Sequence, residues 1–459
     1  MTARSPSGRV ATVVLAAWLV APGCALLRRP GLHGVEPKTH QTVELAGPPP
    51  PGRRLPGWLP RAKIFWDGGM RYHLFDERTI AIRDGRPTLG LGERPLIDGR
   101  IGFKLQIDAA GFVSRGGAED VPGDVELRRG YLTSSGVFRL PHPLQYNLEF
   151  GFLNRQFYLD SAWLMARDVP WVGSLKVGGL DAPIGFDNLT SSRDRIFMEV
   201  PAPVQAFVPA TSIGLMARSV HHEGRGSWAL GWFTVGQRRD VGDQSRALAR
   251  VVGRTTWLLR DDGHVDGGSR WPELLHLGLA GSYTFSGTDS VHYQARPESF
   301  IAPIAVDTQS IPAHHAFVLG LEAAGRRGPL SFQGELLQAF VDQASSHFPG
   351  LYLSAAYLLT GEVRPYDRES AVFGQVIPLR PLSWRARTWG AAECAARWSW
   401  VDLDDGAIQG GRMHVLSAAF NWYWNRYVRW QTGYELAFVD RGPLDGRLHV
   451  FQVRFQLVL

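Results

Sequence analysis

From Val450 to Leu459 the chain alternates without a break. Phe451, Val453, Phe455, Leu457 and Leu459 fall on one side, and Val450, Gln452, Arg454, Gln456 and Val458 on the other. A period of two is the mark of a strand whose faces meet different surroundings. The same pattern recurs upstream. Ile101, Phe103, Leu105 and Ile107 oppose Gly102, Lys104, Gln106 and Asp108. Tyr146, Leu148, Phe150 and Phe152 oppose Gln145, Asn147, Glu149 and Gly151. Sixteen strands are predicted, at about 100–113, 126–138, 145–153, 156–166, 172–179, 211–219, 227–235, 247–259, 273–285, 315–325, 330–341, 350–360, 386–400, 411–424, 427–438 and 448–459. No apolar run is long enough for a helical membrane span. Serial amphipathic strands with aromatic residues at their ends predict an all-β, antiparallel transmembrane barrel of the bacterial outer membrane. A large soluble β-sandwich is the competing architecture.

Connection lengths refine the picture. With both chain ends in the periplasm, connections after even strands are periplasmic. The turn at Asn425-Arg426 fits, and Trp422, Tyr423, Trp424, Tyr427 and Trp430 around it predict an interfacial aromatic belt. The external connection 180–210 is long. The periplasmic one at 361–385 is too long for a tight turn, which leaves open a strand miscounted there.

Composition adds the compartment. Arg4 and Arg9, the apolar stretch Val10–Val20 and the small residues Gly23-Cys24-Ala25 predict a signal peptide over 1–25, with lipidation of Cys24 as the alternative. Residues 26–99 read as a proline-rich linker and periplasmic N-terminal segment. Pro48–Pro51 interrupt regular structure, and a hairpin or plug is expected around Asp67-Gly68-Gly69. The barrel is expected over 100–459. Only two cysteines are present, so neither a disulfide framework nor a cysteine metal site is expected. The net charge of +6 is carried by 45 arginines against only four lysines, Lys38, Lys63, Lys104 and Lys176, and no basic run resembles a nucleic-acid tail. His221-His222 and His314-His315 are adjacent pairs, which point to opposite faces of a strand, and no nucleophile elbow or P-loop occurs. An enzyme and a bound cofactor are therefore not expected.

Four blocks carry a family resemblance. The first is Lys176-Val-Gly-Gly-Leu-Asp-Ala-Pro-Ile-Gly-Phe-Asp-Asn-Leu-Thr-Ser-Ser192. The second is Leu359–Glu362 with Arg364-Pro365-Tyr366. The third runs from Trp389 through Glu393, Arg397, Ser399, Asp402, Asp404 and Asp405 to Gly410-Gly411. The fourth is Asn421-Trp422-Tyr423. With these the chain resembles the phosphate-selective porins, the porin O and P type, from about residue 100 to the end. The resemblance implies a sixteen-stranded barrel, a homotrimer, and a third external loop folded into the pore, with Arg and Lys selecting anions at the constriction. The scarcity of lysine is a departure, since four lysines cannot build a phosphate-binding cluster.

The expected function is a water-filled porin for small solutes with a modest preference for anions such as phosphate. The alternatives are a nonspecific porin on the same fold and a structural or adhesion barrel. Expected partners are outer-membrane lipid and small anionic solutes. Candidate pore residues are Arg193 and Arg195 on the inward loop, Arg250 and Arg254 in one column with Arg246, and Lys104, Lys176 and Arg218 on the wall. Arg238 and Arg239 would draw anions toward the mouth. Parity also points Asp108, Glu149, Asp160, Glu322, Glu335, Glu393 and Glu435 inward, so these arginines either select anions or pair with acids and keep the wall wet.

Overall fold

The structure, a computed structural model, describes residues 42–43, 61–66, 69–75, 80–83, 86–89, 95–116, 122–153, 156–234, 247–261, 273–287, 289–342, 345–442 and 445–459. The expected leader, the proline run and Arg238, Arg239 and Arg246 lie outside these residues.

Sixteen strands form a closed antiparallel barrel. They are β1 (Ile97–Gly116), β2 (Asp124–Phe138), β3 (Leu144–Leu153), β4 (Gln156–Val169), β5 (Gly173–Leu180), β6 (Ser212–His221), β7 (Gly226–Phe233) and β8 (Ala247–Asp261), then β9 (Glu273–Ser286), β10 (His315–Arg327), β11 (Leu330–Val341), β12 (Ser346–Leu358), β13 (Ala391–Asp405), β14 (Ile408–Tyr423), β15 (Val428–Asp440) and β16 (Gly446–Val458). Each pairs with the next, and β16 pairs back onto β1 from Gly446↔Gly116 to Val458↔Lys104, so the sheet keeps no open edge there. The strand count predicted from alternation holds. The long connection at 359–390 hides no further barrel strand. It is an insert with a two-residue ladder, Tyr366–Asp367 against Val372–Phe373.

The alternation is realised as two faces. On β16, Phe451 is 53% exposed on the outer face while Val450 is fully buried on the inner one. Local sequence sets the turns. Between β14 and β15 the Asn425 carboxamide oxygen accepts from the backbone N–H groups of Tyr427 (2.7 Å) and Val428 (3.0 Å), closing an Asx turn. A hairpin, Arg61–Trp66 against Met70–Phe75, continues the sheet below the seam, with Met70–Leu74 pairing Ile101–Ile97 just past the point where β16 ends.

One departure from the two-residue period matters for the lumen. Gln106 pairs with Arg129 but Ile107 pairs with Leu127, so Arg128 is the extra residue of a bulge. The bulge turns both Arg128 and Arg129 inward, where each meets Glu199.

Phe455 and Leu459 lie on the outer face of the closing strand, with Phe455 6.4 Å from the Trp424 and Trp430 rings and Leu459 42% exposed. Replacing both with Asp should lower the yield of heat-modifiable barrel, because a charge on the lipid face costs up to about 2–4 kcal/mol for a cation at the midplane, less for a carboxylate and less toward the interfaces. Normal yield on unboiled gels would place the closing face elsewhere.

Candidate pore and its constriction

Three connections fold into the lumen. Loop 3 (181–211) enters after β5, loop 5 (described from 289 to 314) after β9, and the periplasmic insert (359–390) after β12. Loop 3 turns inward at Gly185, whose φ of +84° suits glycine and whose added Cβ would lie 3.2 Å from Asn188 Cβ and Val208 Cγ2. Two short helices follow, α1 (Phe186–Leu189) and α2 (Ala202–Phe207). Ile184, Phe186 and Ala202 are fully buried, so the loop is part of the interior packing.

The stretch between the helices is irregular, and its carbonyls need donors. The wall and the insert supply them. Gln106 donates to the Ser192 carbonyl (3.2 Å). Gln456 (3.1 Å) and Arg429 (3.3 Å) donate to that of Arg193, and Arg364 to that of Asp194 (3.4 Å). Arg429 reaches the Arg195 carbonyl (2.7 Å), Asn421 that of Ile196 (2.9 Å), Arg454 that of Met198 (2.7 Å) and Arg397 that of Glu199 (3.1 Å). Four arginines that face the lumen thus act as fasteners for loop 3. Three of the four are matched by acids: Arg454 binds Asp108 (2.6 Å) and Glu199 (2.8 Å), Arg397 binds Glu298 (2.5 Å), and Arg364 binds Glu393, while Arg429 bonds loop carbonyls.

Glu298 joins the two external loops. Its buried carboxylate accepts from Arg397, from the hydroxyls of Ser399 (2.5 Å) and Ser417 (2.7 Å), and from the Ala202 backbone N–H at the start of α2 (3.1 Å). Glu199, at the far end of the clamped stretch, meets Arg128, Arg129 and Arg454. Burial alone would raise its carboxyl, but the three guanidinium groups hold it well below the usual carboxylate range. Burial raises the Asp187 carboxyl in the same loop, against the pull of Arg195.

The periplasmic insert is held in the same manner. Arg254 binds Glu322 (2.7 Å) and donates to the carbonyls of Ser370 (3.1 Å) and Ala371 (2.9 Å). Arg218 donates to the Glu369 carbonyl. His276 bridges Glu322 (2.9 Å) and the Tyr366 hydroxyl (2.8 Å). Val372 and Phe373 pack against Phe186 of loop 3 and against Leu258, Leu274 and Ala324 of the wall.

These inserts cover one side of the lumen. The inward side chains of β9 to β12 are buried almost throughout, including His276, Ser282, Val318, Glu322, Gln333, Glu335, Leu337 and Tyr352. Those of β2 to β5 are partly exposed: Tyr131, Thr133, Asn147, Glu149, Trp163, Ser174 and Lys176. The passage is therefore eccentric and runs along the β2–β5 arc, since inward Met216 and Phe233 on β6 and β7 are buried again.

The predicted pore residues divide between two roles. Lys104 is on the open side, paired with Glu149 (3.2 Å) and 4.5 Å from the centre of the Tyr131 ring. Lys176 lies 3.9 Å over the Trp163 ring. The Arg193 side chain is 46% exposed and bonds Asp194 (3.1 Å). Arg195 turns back into loop 3 and donates to the carbonyls of Asp187 and Asn188, both at 3.0 Å. Arg250 donates to the Thr284 hydroxyl (2.9 Å), while Arg254 and Arg218 hold the insert. Arg128, Arg129, Glu199, Glu298 and Arg364 were not among the candidates. The loop residues have no parity to read, and the bulge conceals the two arginines.

The chain matches the family described as phosphate-selective porin O and P over residues 100–459. An uncharacterized protein of Caulobacter vibrioides is 25% identical over 440 residues, covering 91% of this chain and 80% of that relative. A loop L8 deletion mutant of OmpT, an outer membrane protein of Vibrio cholerae, is similar in structure with a TM-score of 0.50 at 9% identity, covering 79% of this chain and 100% of that one. An anion-selective porin from Comamonas acidovorans has a TM-score of 0.49 at 12% identity, covering 79% of this chain and 100% of that one. The likeness to OmpT is one of fold.

Proposed function

Because the chain belongs to the phosphate-selective porin O and P family of outer-membrane channels, we propose that it passes small solutes with a modest preference for anions such as phosphate. The observation that carries this reading is the eccentric lumen. Loops narrow the barrel from one side, and the β2–β5 wall keeps partly exposed polar and charged side chains. The anion preference is supported by how charge is matched. Asp108, Glu199, Glu298, Glu322 and Glu393 are each bound by a guanidinium. Lys176 is instead stacked on an aromatic ring and Arg218 is bonded to a carbonyl, and neither lies in an ion pair among the described residues. Asp160 and Asp181 line the same arc and keep the preference modest. The same reading includes a homotrimer and a leader at residues 1–25 that is removed on export.

Changing Lys176, Arg193 and Arg218 together to Gln tests the preference. Each charge is worth on the order of 1 kcal/mol to a passing ion at an intermediate dielectric. The reversal potential in a salt gradient should move toward cations, with the anion-to-cation permeability ratio falling several-fold and the barrel still heat-modifiable. An unchanged reversal potential would favour a nonspecific porin, and no conductance from the folded wild-type barrel would favour an adhesion barrel.

A further inference from the structure

The outer surface near the external rim carries two arginines that the channel does not use. Arg115 on β1 and Arg447 on β16 are direct cross-strand partners at the barrel seam. Such partners hold their Cβ atoms about 5 Å apart, and like charges placed this way repel. Both residues are exposed. Their parity is that of Val113 and Phe451, which are 48% and 53% exposed on the outer face. Neither lies in an ion pair among the described residues. Arg412, on the same outer face of β14, differs: it meets Asp402 at 2.9 Å and Asp404 at 3.5 Å.

The register places this pair at a definite depth. One cross-strand row runs Trp400↔His414, His414↔Phe438, Phe438↔Arg447 and Arg447↔Arg115. The Trp400 and His414 rings are stacked with centroids 6.2 Å apart, and the Arg447 guanidinium lies 5.3 Å from the Phe438 ring centre. A band of aromatic side chains on the outside of a barrel marks the boundary between hydrocarbon and headgroups. Arg115 and Arg447 are on that band at the end of β1 opposite the chain termini, which is the external leaflet.

We propose that Arg115 and Arg447 form a binding site for the phosphate of a phosphorylated lipid of the outer leaflet, the lipid A class. A phosphate between them would replace their repulsion with two charge-assisted contacts, and the guanidinium fork can bond two of its oxygens at once. The acyl chains of the same lipid would run down the apolar face past Val113 and Phe451. Phosphate is the chemistry recognised, and the flanking aromatic row on the lipid face assigns it to a lipid rather than to the free ion.

The test uses the detergent-folded full barrel, with the heat-induced shift on unboiled gels as readout. Wild type, Arg115→Gln/Arg447→Gln and Arg412→Gln are each titrated with diphosphorylated lipid A, dephosphorylated lipid A and inorganic phosphate. Diphosphorylated lipid A should raise the transition temperature of wild type and of Arg412→Gln. The double variant should lose at least half of that shift, and dephosphorylated lipid A should give little shift in any protein. The site is overturned if the double variant responds like wild type, or if dephosphorylated lipid A is equally effective. The lipid assignment is overturned if inorganic phosphate alone produces the full arginine-dependent shift.

Discussion

Replacing Glu298 with Ala should release loops 3 and 5 from the wall together. This carboxylate is buried and bonds Arg397, Ser399, Ser417 and the Ala202 backbone N–H. Its backbone φ of +54° is unusual for a residue other than glycine, so the side-chain bonds hold a strained position. Removing one member of a buried ion pair costs about 3–5 kcal/mol, because the other charge stays buried without its partner. The orphan here would be Arg397, which also donates to the Glu199 carbonyl of loop 3. The expected phenotype is a barrel that still assembles but conducts more current, with frequent flickering between levels. Glu298→Gln, which keeps the shape but not the charge, should lie between wild type and Glu298→Ala. Single-channel traces of Glu298→Ala with wild-type conductance and quiet openings would show that the loops are held by apolar packing alone.

The second large effect is expected at the periplasmic end. The Gly374 backbone N–H donates to the Pro365 carbonyl (2.9 Å), so the segment Tyr366–Phe373 leaves and re-enters the chain at one point. Replacing 366–373 with two glycines should remove the tip of the insert with little strain on β12 or β13. It would withdraw Phe373 and Val372 from Phe186 of loop 3 and take away the carbonyls that Arg218 and Arg254 hold. Conductance should rise several-fold, and Arg218 and Arg254 should then face open water. The anion preference should strengthen as a result, because Glu322 already matches Arg254, while Arg218 has no acid in ion-pair contact among the described residues. A deletion protein that folds and keeps the wild-type conductance would show that the insert does not limit the passage.

Much of the barrel was legible because membrane and lumen impose a strict two-residue period on each strand. The alternation at 448–459 and the Asn425-Arg426 turn are legible from residue types alone, and β16 and the turn between β14 and β15 occupy those places. Strand starts were less legible. β1 begins at Ile97 and β13 at Ala391, since pairing outside the bilayer, and loops such as 386–390, follow no apolar pattern. The charged residues were legible by face but not by role. Parity correctly turned Arg254, Arg397, Arg429 and Arg454 inward, yet it could not show that each would meet a loop carbonyl. That information resides in how loop 3 and the insert fold across the lumen, hundreds of residues away in the chain from some of their partners. The Arg128–Arg129 pair was hidden for a different reason, because a single bulged residue defeats a parity count.

In the proposed function, solutes cross along the β2–β5 arc while the opposite wall is sealed by the inward loops. Single cysteines placed on the two walls test it directly, in a background where the exposed Cys394 is replaced by Ala. Asn147 lies on the open arc and is partly exposed, whereas Ser331 on β11 is 1% exposed beneath the loops. Single-channel conductance is measured before and after a charged, water-soluble thiol reagent is added. Asn147→Cys should lose a stepwise fraction of its current on modification, and Ser331→Cys should keep all of it. Equal loss in both variants, or block of Ser331→Cys alone, would contradict the eccentric channel.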